Sequence, residues 1–182
     1  MNQTGSGFDS EPDSHTEGKK PMKKIKLMIT ALVVAGLMVS GAAVAEEQAT
    51  KEECVIKCHE AAAYINSKGL EAAIEAIGDA NGPFVWKDSY VFLMNMDGKM
   101  LAHPFQPELT QKDHVLLHTD PTGKALFVHF VNLARKMGEG WVEYMWPKPG
   151  KTSPSKKLSY IYKVPNHELF VGAGVYVGGM IY

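Results

Sequence analysis

The 182-residue sequence has room for one domain of ordinary size together with an extension, and it predicts no second domain. Basic and acidic side chains nearly balance, at 19 and 20. Arg135 is the only arginine, the side chain that pairs best with phosphate or guanine. Charge and composition therefore argue against a nucleic-acid partner.

The N-terminal part of the chain has the pattern of an export signal behind a disordered start. Residues 1–21 are rich in Ser, Gly, Asp and Glu, and they cannot bury enough apolar surface to fold. Residues 22–45 combine a basic start at Met22, an apolar run from Leu27 to Val39 and a small-x-small cleavage site ending at Ala45. This is the layout of a secretory signal peptide, so we expect Met22 to be the true start.

Residues 27–45 are also just long enough to hold the uncleaved chain in the inner membrane. Cleavage is our preferred interpretation. It leaves residues 46–182 as a single domain in the periplasm, an oxidising compartment.

The first predicted element of this domain is a long helix. Thr50 and Glu53 have the spacing of a capping box, in which each side chain bonds the other residue's backbone amide. Small or apolar residues then recur at a helical 4-3-4 spacing up to Ile65, and a second apolar stretch from Leu70 to Ile77 follows Gly69. The pattern predicts an N-terminal helix that bends at Gly69.

Strand-like runs follow from Phe84. The run from Tyr90 to Met94 and the run from Lys99 to His103 flank Asp97-Gly98, which predicts a tight antiparallel hairpin. A turn at Asp120-Pro-Thr-Gly123 precedes a shorter helix that begins near Ala125 and stops at Gly138.

Three further strands are expected at residues 140–146, 156–163 and 168–176. The elements together predict an α+β domain with a central five-stranded antiparallel sheet, a long N-terminal helix and one shorter inserted helix.

A series of short motifs between Lys51 and Tyr176 resembles the single Cache domain, a PAS-like extracytoplasmic sensor domain. The motifs are Tyr90-Val-Phe, Asp97-Gly98, Ala102-His103-Pro104, Asp120-x-x-Gly123-Lys124, Gly140-Trp-Val-x-Tyr144-x-Trp146, Lys157-x-Ser-Tyr160 and Val171-Gly-Ala-Gly-Val-Tyr176. The resemblance implies a PAS-like sheet behind a long helix, used by chemoreceptors and histidine kinases to detect ligands. It further implies small carboxylates such as acetate, propionate, lactate or pyruvate as ligands.

Six side chains of the predicted strands are candidates for contact with such an acid. They supply hydroxyl, imidazole, indole and ammonium donors: Tyr90, His103, Trp141, Tyr144, Lys157 and Tyr160. Charged hydrogen bonds to a carboxylate are strong inside an apolar wall. Strand alternation nevertheless places Trp141 opposite to Tyr144, so one cavity takes all six only if a bulge intervenes. Core packing is the alternative for each aromatic ring, and a solvated edge position is the alternative for Lys157.

Cys54 and Cys58 lie four residues apart, with His59 directly after the second. We expect them to form a disulfide, because Cα atoms four apart on a helix are about 6 Å from each other, although the parallel Cβ directions would strain the bond. Buried thiols are one alternative. Covalent haem c at Cys54, Cys58 and His59 is another, but it commonly uses two intervening residues rather than three.

The leading hypothesis is therefore a periplasmic Cache domain that binds a small organic acid and signals through a separate membrane receptor or transporter. The alternative is a haem-carrying redox or gas-sensing protein. The sequence has neither a nucleophile elbow nor paired carboxylates, so we expect no enzymatic activity and no metal site.

Overall fold

The computed structural model describes residues 47–178. The predictions of a disordered segment at residues 1–21 and of a signal peptide at residues 22–45 lie outside this range. Within the described range, no helix combines the length and the apolar character needed to cross a membrane.

The N-terminal helix forms as predicted and is interrupted at Gly69. Helix α1 spans Lys51–Lys68 and helix α2 spans Leu70–Gly78. The capping box is complete: the Thr50 hydroxyl accepts from the Glu53 amide at 3.2 Å, and the Thr50 amide donates to the Glu53 carboxylate at 2.8 Å. Gly69 has a φ of 86°, a left-handed value that ends α1 and turns the chain into α2.

A six-stranded antiparallel sheet forms the centre of the fold, in the order β1-β2-β6-β5-β4, with β3 beside β2. The strands are β1 Val85–Trp86, β2 Ser89–Asn95, β3 Met100–Ala102, β4 Glu139–Pro147, β5 Pro154–Lys163 and β6 Leu169–Tyr176. All five predicted strands are present and the α+β class is confirmed. The additional strand, β1, has only two residues, too few to show an alternating pattern in the sequence.

The β2–β3 hairpin turns at Gly98, whose φ of 86° lies in the region that favours glycine. The longer connection from β3 contains an unpredicted 3₁₀ helix at Pro107–Gln111 and ends in helix α3, Leu126–Lys136. Asp120 fixes the end of this connection to the edge strand, because its Oδ2 accepts from the backbone amide of Met145 at 2.9 Å.

The sheet separates two apolar clusters. Helices α1 and α2 cover one side, here called the helix face, where Ile65 and Ile77 pack against Val171 and Ala173. Helix α3 and the β3–α3 connection cover the other side, here called the pocket face. Because side chains alternate along each strand, neighbouring residues serve different clusters.

Candidate ligand-binding site

Four of the six predicted ligand-contacting residues lie together on the pocket face. Tyr90, His103 and Tyr144 line one small cavity there. The Lys157 Nζ lies 3.8 Å from the centre of the Tyr90 ring. The strand register explains this grouping, because Lys157 of β5 pairs with Tyr144 of β4 and with Tyr176 of β6. Paired residues point to the same side of a sheet.

Lys157 is the most unusual of these residues. Its side chain is fully buried, with 0% relative exposure, and its Nζ has no hydrogen-bond partner within the part of the chain that the structure describes. Two aromatic faces surround the ammonium group, those of Tyr90 at 3.8 Å and Tyr176 at 4.8 Å. Burial lowers the pKa of Lys157 to about 7. The site therefore holds a buried amino group that has no bonded anion among residues 47–178.

His103 lies directly after β3 and has a fixed tautomer. Its Nδ1 accepts from the backbone amides of Phe105 at 3.2 Å and Gln106 at 3.0 Å, so Nε2 carries the proton of the neutral ring. Burial, aided by the charge of Lys157, lowers the pKa of His103 to about 3. The ring is therefore a neutral N–H donor at physiological pH, beside Tyr90 at a centroid distance of 4.8 Å.

The central strand β6 packs closely against its neighbours next to these donor side chains, and Gly174 makes this possible. Gly174 accepts a hydrogen bond from the Ser89 hydroxyl at 2.8 Å, and Ser159 and Tyr144 share one at 3.0 Å between their hydroxyl oxygens. A Cβ on Gly174 would lie 2.7 Å from the carbonyl oxygen of Leu158, closer than packing allows. Because Gly174 has no side chain, β5 and its Ser159 hydroxyl can lie close to β6.

The cavity that Tyr90, His103 and Tyr144 help to enclose is small, and Lys157 lies behind the Tyr90 ring rather than in its lining. Its volume is about 10 Å³, and its wall includes Tyr90, Phe92, His103, Phe130, Tyr144 and Trp146. This is space for about one water molecule and too little for an acetate ion. The sequence predicted a ligand cavity lined by these donors, but aromatic side chains nearly fill it, so a ligand enters only if some of them move outwards.

Trp141 and Tyr160 do not join this group. Both point to the helix face, where their ring centres are 5.3 Å apart. Tyr160 packs in the cluster beneath α1, and its hydroxyl donates to Glu139 at 2.6 Å. No bulge shifts the β4–β5 register between Glu139 and Pro147, so the alternation of these strands is undisturbed. The structure therefore separates Trp141 and Tyr160 from the other four candidates.

The structure corrects the disulfide prediction. Cys54 and Cys58 are free thiols, both with 0% exposure. Both side chains point from α1 into the sheet: the Cys58 thiol donates to the Tyr160 carbonyl at 3.8 Å, and the Cys54 sulfur lies 4.0 Å from the Ser89 hydroxyl. Their parallel directions suit packing against strands better than bonding to each other. Burial raises the pKa of Cys54 to about 11, which makes it a weak nucleophile.

Haem attachment at Cys54, Cys58 and His59 does not fit this packing either. Both thiols face the sheet, whereas thioether bonds require that they face the macrocycle. His59 instead packs against Tyr162, with ring centres 4.1 Å apart and the ring planes tilted. Between residues 47 and 178, no group of three or more His, Cys, Asp or Glu side chains could hold a metal ion.

Two residues of the pocket face escaped the sequence-based selection. Trp146 is two residues beyond Tyr144, so strand alternation already placed it on the same face. Tyr176 lies opposite Lys157 only because β6 pairs with β5 in this register. The first could have been found from spacing alone, but the second required the strand pairing.

Comparisons with known proteins agree with this architecture. A profile of the Cache domain family matches residues 60–180. The methyl-accepting chemotaxis protein McpP of Pseudomonas putida is 40% identical over 90 residues, which are 50% of this chain and 16% of McpP. The chain therefore spans about a sixth of the length of that relative.

Two solved structures resemble the fold over most of their own length. A periplasmic sensor domain of a chemotaxis protein has a TM-score of 0.57 and 30% identity, over 70% of this chain and 90% of that one. A Cache chemosensory domain solved as the structural basis for carboxylic acid recognition has a TM-score of 0.60 and 27% identity, over 70% of this chain and 92% of that one. Together with the family profile, these matches confirm the resemblance: the chain belongs to the Cache domain family.

Proposed function

We propose that this Cache domain is an extracytoplasmic sensor that binds a small organic carboxylate on its pocket face. Lys157, Tyr90, His103 and Tyr144 contact the ligand, and no chemical step follows binding. The observation that carries the proposal is the buried ammonium group of Lys157, which has no bonded partner among residues 47–178. A buried, unpaired charge is unfavourable, and a carboxylate beside it would supply the missing counter-charge.

The groups around Lys157 suit a carboxylate better than a cation or a neutral sugar. The neutral His103 ring offers an N–H donor, since two backbone amides already occupy its Nδ1. The aromatic wall excludes water, which strengthens a charged hydrogen bond inside the cavity. The carboxylic acid recognition reported for one of the similar solved domains supports the same ligand class.

Binding also requires the cavity to enlarge, since about 10 Å³ admits no acid. Phe127 and Phe130 belong to α3, outside the hydrogen-bonded sheet. Movement of α3 can therefore open the pocket without breaking strand pairs. Such coupling between ligand and helix position gives the domain a means to report binding.

The test is a ligand panel on the purified protein. We expect acetate, propionate, lactate or pyruvate to raise the melting temperature, because a ligand that binds only the folded state stabilises it. Calorimetric titration then gives the affinity of each acid. A flat response to all four, with amino acids as a further comparison set, would refute the proposal.

A matched pair of lysine variants locates the site. Lys157→Met should lower the affinity by at least about 30-fold, since it removes one partner of a buried charge pair. Lys156→Met should leave it unchanged, because Lys156 is exposed and pairs with Glu143 at 3.2 Å. Equal affinities in the two variants would place the ligand elsewhere.

We further propose that the domain lies in the periplasm and passes its signal to a separate membrane protein. A periplasmic position is supported by the similar sensor domain of a chemotaxis protein. We expect a separate membrane receptor or transporter to read the ligand state. Cells that lack the protein should then lose their response to the acid that it binds, and complementation with Lys157→Met should not restore that response.

A further inference from the structure

Trp146 forms a wall between the enclosed cavity and a larger groove at the protein surface. The cavity, of about 10 Å³, has Trp146 in its lining. A surface groove of about 340 Å³, between the β3–α3 connection and the end of β4, is also lined by Trp146. The other lining residues of the two spaces differ, so Trp146 is the side chain that they share.

Aromatic side chains from several parts of the fold hold the Trp146 ring in this position. Trp146 is the penultimate residue of β4, which is an edge strand, and Pro147 ends the strand directly after it. Its ring is held by edge-on aromatic contacts, with centre distances of 5.7 Å to His118 and 5.9 Å to Phe127. His118 belongs to the β3–α3 connection and Phe127 to α3. A third edge-on contact, to Tyr144 of the same strand at 6.0 Å, holds the ring from within the sheet.

Hydrogen bonds fix the floor of the groove beside Trp146. Asp120 bonds the Met145 amide at 2.9 Å, which ties the connection to β4 one residue before Trp146. Asp120 also accepts from the Thr122 amide at 2.8 Å, which braces the turn itself. These hydrogen bonds maintain the shape of the groove beside the Trp146 indole. Removal of the indole would join the groove to the cavity.

We propose that Trp146 determines which acids the pocket accepts, by limiting the length of the ligand. The inference rests on the proposed carboxylate-binding function. When the carboxylate of an acid contacts Lys157, the carbon chain fits on the cavity side of Trp146 only if the chain is short. A longer chain needs the volume on the far side of the indole, which the intact side chain blocks.

The experiment measures affinity as a function of chain length. Straight-chain acids from acetate to hexanoate are titrated calorimetrically into the purified protein and into Trp146→Ala. In the unaltered protein we expect the affinity to fall beyond the shortest acids. In Trp146→Ala, valerate and hexanoate should bind at least about tenfold more tightly than they bind the unaltered protein, because buried methylene groups each add affinity. Acetate should bind more weakly, since it loses a contact.

Trp141→Ala is the matched control, because Trp141 lies on the same strand but on the helix face. It should leave the chain-length profile unchanged. Trp146→Phe serves if the alanine variant does not fold, and it should shift the profile in the same direction by a smaller factor.

The possible outcomes separate the two proposals. If the unaltered protein binds short acids and Trp146→Ala or Trp146→Phe keeps the same profile, the role of Trp146 is overturned while the proposed function stands. If the unaltered protein binds none of the acids, the proposed function fails and this inference fails with it.

Discussion

The two faces of the sheet are built from the same kinds of aromatic side chain, but the pocket face also buries a lysine. On the helix face, Tyr160 donates to Glu139, and the Cys58 thiol donates to a backbone carbonyl. On the pocket face, the ammonium group of Lys157 is buried against two aromatic rings and has no bonded partner among the described residues. Aromatic residues alone therefore do not mark a ligand site in this protein. The proposed ligand site rests instead on the buried amino group of Lys157, which has no bonded anion among the described residues.

This contrast predicts that burial of Lys157 on the pocket face lowers the free energy of unfolding of the domain. Lys157→Met should raise the free energy of unfolding by about 2–4 kcal/mol at pH 6, because it replaces a buried cation with an apolar side chain of similar length. The folded-state pKa of Lys157 lies at about 7, below its ordinary value of 10.5. Between these values the unfolded chain binds more protons, so the stability of the unaltered protein rises with pH. The advantage of Lys157→Met should therefore shrink from pH 7 towards pH 10.

Urea denaturation at pH 6 and pH 9 measures both effects. Lys156→Met, at the exposed neighbouring position, provides the control: it keeps Lys157, so its stability relative to the unaltered protein should not change between pH 6 and pH 9. Identical pH profiles for the two variants would mean that Lys157 is solvated rather than buried.

A second prediction concerns the close approach of strands on the pocket face. Gly174→Ala should lower the free energy of unfolding by about 1–3 kcal/mol, because overpacking forces a backbone shift. The added Cβ would meet the Leu158 carbonyl oxygen at 2.7 Å, and backbone cannot rotate away as a side chain could. The adjacent residue, Ala173, already carries a Cβ, and it points to the helix face.

Gly78→Ala is the matched control for this prediction, since nothing lies within 4 Å of its added Cβ. Thermal denaturation of both variants provides the measurement. A Gly174→Ala variant as stable as Gly78→Ala would show that β5 and β6 can separate at this point.

We expect the smallest change in the free energy of unfolding from a substitution on the helix face. Tyr160→Phe should lower the free energy of unfolding by about 0.5–1.5 kcal/mol, the usual contribution of one hydrogen bond, and should leave acid binding unchanged. Tyr144→Phe should weaken acid binding, because its hydroxyl lies on the pocket face and shares a hydrogen bond with Ser159. Calorimetric titration of the two variants compares the faces directly. A loss of affinity in Tyr160→Phe would contradict the assignment of the faces.

The features that the sequence predicted correctly depend on residues close together in the chain. The capping box joins Thr50 to Glu53, three residues away, and the hairpin depends on the single backbone conformation of Gly98. Strand alternation likewise separated Trp141 from Tyr144 before any pairing was known. These signals act within a few residues, so one sequence is enough to find them.

The features that only the tertiary structure decided depend on which distant elements cover a residue. Lys157 could equally have been a solvated edge charge, and its burial results from pairing with β4 and β6 on either side. The spacing of Cys54 and Cys58 allowed both a disulfide and buried thiols, and the packing of α1 on the sheet decided for free thiols. The volume of the cavity depends on how α3 packs against aromatic rings from separate strands. Burial and packing are sums over residues far apart in the chain, whereas caps, turns and alternation are local, and this difference separates what the sequence determined from what the fold added.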